Sequence, residues 1–255
     1  SEAAKLAPLR FPHTSMPLSN IIQDRRRTVT RRIMRLILRP PKPVVDARLP
    51  STGIYRILVC RFVQTLGDSL TLTPMLHELA AAYPGAEIDV ISRCPAAPLI
   101  FGGLPGINRI MLLPRHVARH PWRTLRALRA MRRTRYDLVV DPDPQSQSGR
   151  LLALLARADR SLGYAGQAKA GSMTYNIVPP DHLRHRAMLP VYLLRKALGG
   201  DPAAGKYPAL HIGLNPLERR QGRVALSRLL TGRDDRTGKR GCIGIFANAT
   251  GDKRL

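Results

Sequence analysis

The sequence predicts an α/β fold built on a doubly wound parallel sheet. Three observations carry that reading. Apolar runs of strand length alternate with helix-length segments between Tyr55 and Leu198. Pro and Gly punctuate the junctions, and no segment repeats another. Such alternation is the pattern of parallel strands joined by helical crossovers.

The elements follow in order. Tyr55–Cys60 (YRILVC) reads as a short buried strand. Asp68–Tyr83 reads as one helix, with Leu72, Met75, Leu76 and Leu79 on one face and the turn Pro84-Gly85 after it. Glu87–Ser92 (EIDVIS) is the second strand, and Ala96–Phe101 a short helix ending at Gly102-Gly103. Arg109–Leu113 (RIMLL) is the third strand and Pro121–Thr134 the helix after it. Tyr136–Asp141 (YDLVVD) is the fourth strand, followed by a helix over Ser148–Arg157 and a short fifth strand, Ser161–Tyr164. A further helix, Arg184–Leu198, is stopped by Gly199-Gly200. Right-handed crossovers place the carboxyl ends of all these strands on one edge, where such sheets bind ligands.

The flanks differ in character. Residues 1–50 hold eleven Lys or Arg, three acids and prolines at 8, 12, 17, 40, 41, 43 and 50. Within them Asn20–Leu38 can form a basic helix lying on an anionic membrane, at ~1 kcal/mol per basic residue near the surface. A disordered basic tail is the alternative. At the other end, Pro216–Leu230 reads as a helix between domains, and residues 232–241 (GRDDRTGKRG) as a linker. Cys242–Phe246 (CIGIF) then opens a fresh strand, which either completes the first sheet or begins a second domain that continues past Leu255. The expected organisation is an extension over 1–50, a domain over 51–215, a helix and linker over 216–241, and the start of a second domain over 242–255.

Charge narrows the partners. Lys and Arg number 42 against 17 Asp and Glu, a net +25. Such a chain favours nucleic acid, anionic lipid or phosphorylated glycans. Cys60, Cys94 and Cys242 are far apart and show no metal-ligand spacing, so no metal is expected and a reduced compartment fits. No run of roughly 18 apolar residues exists, so no segment reads as a membrane-crossing helix.

The loop after the first strand carries the chemistry. It reads Arg61-Phe62-Val63-Gln64-Thr65-Leu66-Gly67-Asp68-Ser69, with Gly67 read as permitting a tight turn. A carboxylate at 68, on the ligand-binding edge, can take a proton from an attacking sugar hydroxyl. Asp68 can equally be a helix N-cap, which would make it a weaker base. The loop contains no GxGxxG, so it is not a dinucleotide fingerprint.

Arg56–Leu79 (RILVCRFVQTLGDSLTLTPMLHEL), Tyr83–Ile91 (YPGAEIDVI), Tyr136–Asp141, Arg160–Tyr164 (RSLGY) and Ala249–Leu255 together resemble glycosyltransferase family 9, the bacterial lipopolysaccharide heptosyltransferases. The resemblance implies two Rossmann-like domains facing across a cleft, the GT-B architecture, of which this chain holds the N-terminal half. It implies metal-independent inverting transfer from a nucleotide sugar of ADP-heptose type, with no further cofactor. Asp68 matches the proposed general base. Arg61 matches a basic residue that meets anionic acceptor groups or stabilises the loop. Thr250 and Lys253 match the hydroxyl and lysine that meet the donor's phosphates. There are departures: the stretch from Arg61 to Asp68 is one residue longer than usual, the fourth strand runs into Asp141-Pro142-Asp143-Pro144-Gln145 where the family has Asp-Leu-Gln-Gly, and no aromatic and proline follow Lys253.

Residues 115–135 add eight Arg and no acid. On a helix from Pro121, Arg119, Arg123, Arg126, Arg129 and Arg133 fall on roughly one face, while Trp122, Leu125, Leu128 and Met131 drift along the other. That face is either simply solvated or a surface for phosphorylated glycolipid or anionic membrane. Arginine suits such work because its planar fork pairs with phosphate. Arg123 and Arg126, with Gln64 and Thr65 of the loop, complete the acceptor-binding candidates. The expected enzyme acts on a lipid-linked anionic core sugar at the cytoplasmic face of a bacterial inner membrane. The alternatives are a basic nucleic-acid-binding module and a non-catalytic remnant that docks on membranes. Nucleic acid is less favoured, because no reader motif is present and aromatics to stack bases are few.

Overall fold

In the computed structural model, residues 43, 48–166, 173–181, 183, 185, 187–202 and 205–230 are described. The basic helix expected over Asn20–Leu38, the strand Cys242–Phe246 and the candidate donor residues Thr250 and Lys253 lie outside them. The described residues fall into two compact units, one reaching Gly213 and one starting at Leu214.

The first unit is built on six parallel strands: β1 (Arg56–Arg61), β2 (Glu87–Ser92), β3 (Ile107–Leu112), β4 (Arg135–Asp141), β5 (Arg157–Tyr164) and β6 (Tyr175–Ile177). Their order across the sheet is β3-β2-β1-β4-β5-β6. That is the Rossmann order, wound outward in both directions from β1 and β4. Alternate side chains of β1 feed two cores, which is why the strand is apolar on both alternations. Ile57 and Val59 pack with Leu72, Met75, Leu76, Phe101, Val191 and Leu194. Leu58 and Cys60 pack on the other face with Met131, Leu152 and Ala153.

Among the described residues, six α-helices flank the sheet: α1 (Leu66–Leu70), α2 (Thr73–Ala82), α3 (Ala97–Phe101), α4 (Pro121–Arg133), α5 (Gln147–Leu155) and α6 (Met188–Ala197). The helix expected over Asp68–Tyr83 is two helices. Pro74 explains the break: it has no N–H for Leu70, and its ring favours the first turn of a helix over the interior. Thr73 Oγ1 donates to the freed Leu70 carbonyl at 2.8 Å, while Thr71 Oγ1 donates to the Asp68 carbonyl at 2.8 Å. Gly85 and Gly199 both take positive φ, 81° and 80°, at the two turns the sequence marked.

Other bounds shift. The third strand begins at Ile107 rather than Arg109. The fifth begins at Arg157, read as helical in the sequence, and β6 was not anticipated. The second unit holds α7 (Pro216–Leu230), with the bounds read from the sequence. Its start is a reciprocal cap: Asn215 Oδ1 accepts from Glu218 N and Glu218 Oε2 accepts from Asn215 N, both at 2.8 Å.

Candidate active site

The strand order reverses between β1 and β4, so the connections leaving their carboxyl ends part and open a crevice. Arg61 is the last residue of β1 and Asp141 the last of β4. A cavity of about 220 Å³ lies there, lined by Arg61, by Pro142–Ser146 and by Leu189 and Pro190.

Asp68 stands in the first turn of α1, half-buried at this edge. It is not the helix cap. Thr65 is, its hydroxyl accepting from Asp68 N at 3.3 Å. The same hydroxyl donates to Asp68 Oδ2 at 2.7 Å, so cap and carboxylate hold each other. Gly67 does not make a tight turn. It lies inside α1 without a positive φ, and an added Cβ would meet nothing within 4 Å. The space over the backbone beside Asp68 is therefore open. Gln64 and Thr65 are exposed on the same loop.

Arg61 turns inward. Only 6 % of it is exposed. Its NH2 donates to the Asp68 carbonyl at 2.7 Å and to Thr71 Oγ1 at 2.9 Å, and its Nε to the same carbonyl at 3.2 Å. NH1 lies 3.8 Å from Asp143 Oδ2 across the crevice. The guanidinium thus fixes the α1 turn that presents Asp68. Arg61→Ala should cost about 1.5–3 kcal/mol, the range for hydrogen bonds to a charged group, read as a lower urea midpoint with unchanged slope.

Three groups were not identified as site residues in the sequence. Asp143 organises the loop after β4, its Oδ1 accepting from Gln145 N at 2.8 Å and Ser146 N at 3.2 Å. An Asp followed by turn residues is the signal that marks such a role. Arg150, on α5, donates from Nε to Asp141 Oδ2 at 3.0 Å and from NH2 to the Tyr164 carbonyl at 2.5 Å. This ion pair is sealed, at 1 % and 0 % side-chain exposure. Arg93 follows β2, stacks on the Phe62 ring at 4.5 Å and donates to the Arg115 carbonyl. Burial, and then repulsion by Arg115, lowers the Arg93 guanidinium from its ordinary value. Those two cations make the β1–β3 side of the edge electropositive.

Arg123 and Arg126 lie on α4 and are exposed. Cys60, beside Arg61, is buried, and burial followed by the Asp141 charge pushes its thiol up, away from nucleophilic use. Among the described residues no cluster of His, Cys, Asp or Glu is arranged to hold a metal. A larger cavity, about 360 Å³, lies at the opposite, amino edge of the sheet. There buried Asp89 accepts from Arg109 NH2 at 2.6 Å and Tyr136 Oη at 2.7 Å, and burial, then Asp89, raises the Tyr136 phenol. That network ties β2, β3 and β4 together. It faces away from the ligand-binding edge.

A six-stranded parallel sheet in this order, with a polar crevice at its switch point, is a Rossmann-like α/β fold. Three glycosyltransferases are among the solved structures to which the chain is similar. A family 9 glycosyl transferase from Veillonella parvula matches with a TM-score of 0.55 and 23 % identity, over 71 % of this chain and 51 % of that one. The E. coli heptosyltransferase WaaC with ADP matches with a TM-score of 0.49 and 19 % identity, over 61 % and 51 % of the two chains. The E. coli ADP-heptose lps heptosyltransferase II matches with a TM-score of 0.46 and 20 % identity, over 68 % and 50 %. The Veillonella likeness establishes the shared fold. The chain spans about half the length of these structures. No protein-family model and no curated protein matches the sequence.

Proposed function

We propose that this chain is the acceptor-binding half of a family 9 glycosyltransferase of GT-B architecture. The observation that carries the reading is the carboxylate of Asp68, held half-exposed at the carboxyl edge beside the switch-point crevice. There it serves as general base, taking the proton from the acceptor hydroxyl as that oxygen attacks the donor's anomeric carbon. Attack opposite the departing diphosphate inverts the anomeric centre. The donor is a nucleotide sugar of ADP-heptose type, as the family resemblance of the sequence implies. The family resemblance implies that Thr250 and Lys253 meet its phosphates.

The acceptor is a lipid-linked anionic core saccharide. Gln64 and Thr65 line its approach, and Arg93, Arg115, Arg123 and Arg126 supply cations for it. Arg61 positions Asp68. The reaction belongs at the cytoplasmic face of a bacterial inner membrane, in cell-envelope glycan synthesis. Among the described residues no helix is long and apolar enough to cross a bilayer.

Calorimetric titration separates the halves of this proposal. The 255-residue chain should bind a carboxylated or phosphorylated core saccharide and show no heat with ADP-heptose. Failure to bind the anionic saccharide would overturn the acceptor assignment. Sugar transfer by this chain alone would overturn the division of labour between lobes.

A further inference from the structure

The structure reverses one detail of the arginine-rich helix. Trp122, read on the apolar face, is 80 % exposed. Three residues turn a helix by about 300°, so each i, i+3 step slips back by about 60°. Across Trp122, Leu125, Leu128 and Met131 the slip reaches half a turn. Met131 is buried against the sheet, and Trp122 points to the opposite side. The spacings that do stay in line with Trp122 are i+4, i+7 and i+11. These are Arg126, Arg129 and Arg133, all exposed. The indole therefore heads a row of guanidinium groups, flanked by exposed Arg123 and Arg132.

Nothing described neutralises this row. None of Arg123, Arg126, Arg129, Arg132 or Arg133 forms an ion pair or side-chain hydrogen bond with another described residue. The sequence has no acid between Asp89 and Asp137. An exposed indole among like charges gains nothing from water, whereas the boundary between headgroups and acyl chains suits an apolar ring with a polar N–H. Lipid phosphates are anions of the kind this row lacks, and arginine pairs with phosphate in bidentate fashion. Single-stranded nucleic acid would offer phosphates too, but reading it calls for several stacking rings, and this row holds one.

We propose that the outer face of α4 docks on an anionic lipid bilayer, with Trp122 as its interfacial anchor and Arg126, Arg129 and Arg133 as its phosphate contacts. The inference deepens the lipid-linked acceptor reading and rests on it for the choice of partner. A helix that follows a parallel strand starts at the carboxyl edge, so the Trp122 end of the docked face lies at the edge that bears Asp68.

Trp122 is the sole tryptophan of the chain, so its emission reports this face and no other. The full 255-residue chain is titrated with vesicles of seven parts phosphatidylcholine to three parts phosphatidylglycerol, and separately with pure phosphatidylcholine. The emission should shift to the blue and be quenched by headgroup-depth brominated lipid with the anionic vesicles, and stay unchanged with the neutral ones. The triple substitution Arg126→Ala, Arg129→Ala, Arg133→Ala should weaken binding on the order of 100-fold, at about fivefold per basic residue near an anionic leaflet, with unchanged circular dichroism. Co-sedimentation with anionic vesicles without any emission shift would overturn the proposal in favour of another basic segment. An emission shift given by nucleic acid and not by vesicles would overturn it in favour of the nucleic-acid reading. Neither arm measures sugar transfer, so this proposal and the transferase proposal fail separately.

Discussion

On the transferase proposal, Asp68→Asn should slow sugar transfer by ~10²–10⁴, the usual contribution of a general base, and leave donor affinity unchanged. The geometry makes this substitution unusually clean. The helix cap is the Thr65 hydroxyl, which accepts from the backbone at 68 whatever the side chain there. An asparagine oxygen can still accept from Thr65 Oγ1, as the carboxylate does at 2.7 Å. The anchoring bonds from Arg61 go to the carbonyl of residue 68, which the substitution does not touch. Fold and loop position should therefore survive within about 0.5 kcal/mol, and the lost rate reports the lost proton acceptor. Steady-state turnover with donor titration is the measurement. A rate near that of the unmodified enzyme would leave position 68 with a helix-terminal role alone.

Arg150→Met should destabilise the fold by about 3–5 kcal/mol, because it strands Asp141 as an uncompensated charge in a site with no solvent access. That is a large part of the roughly 5–15 kcal/mol that holds a domain together. The pair fits only because its neighbours lack side chains: a Cβ on Gly149 would come within 2.9 Å of Asp141 Oδ1, and one on Gly163 within 3.0 Å of Arg150 NH2. Adding Asp141→Leu to Arg150→Met should recover much of the loss, since a matched apolar pair avoids the stranded charge. Urea unfolding of the two single variants and the double variant gives the coupling. A single variant within 1 kcal/mol of the unmodified protein would contradict the burial argument.

Both expected results depend on features that were unequally legible in the sequence. β1, β2 and β4 were plain, because strands buried on both faces read as continuous apolar runs of YRILVC type. Asp68 was plain as a residue but ambiguous as a group. Only coordinates separate a carboxylate that caps from one that is itself held by a capping threonine three residues earlier. Helix continuity failed at Pro74, where Leu72, Met75, Leu76 and Leu79 keep one face across a break that the apolar pattern does not record. Trp122 failed through angular drift that a count of i, i+3 neighbours hides. β6 is three residues long and pairs with β5 alone, too short for any periodicity to show. The Asp141–Arg150 pair needed the path of residues 142–149, which returns α5 beside the strand it has just left. No spacing rule supplies that path.

The guanidinium of Arg61 has a further consequence. It holds the backbone of one connection and approaches Asp143 of the other, so a single side chain clasps both banks of the crevice. Mechanically the two loops are then one hinge-pinned frame rather than independent fingers. A ligand that pries the proline-flanked Asp143 outward must drag on the turn bearing Asp68, and sequence changes tolerated in one bank will be constrained by the other. Specificity in such a frame is inherited jointly by both loops, through one shared pin.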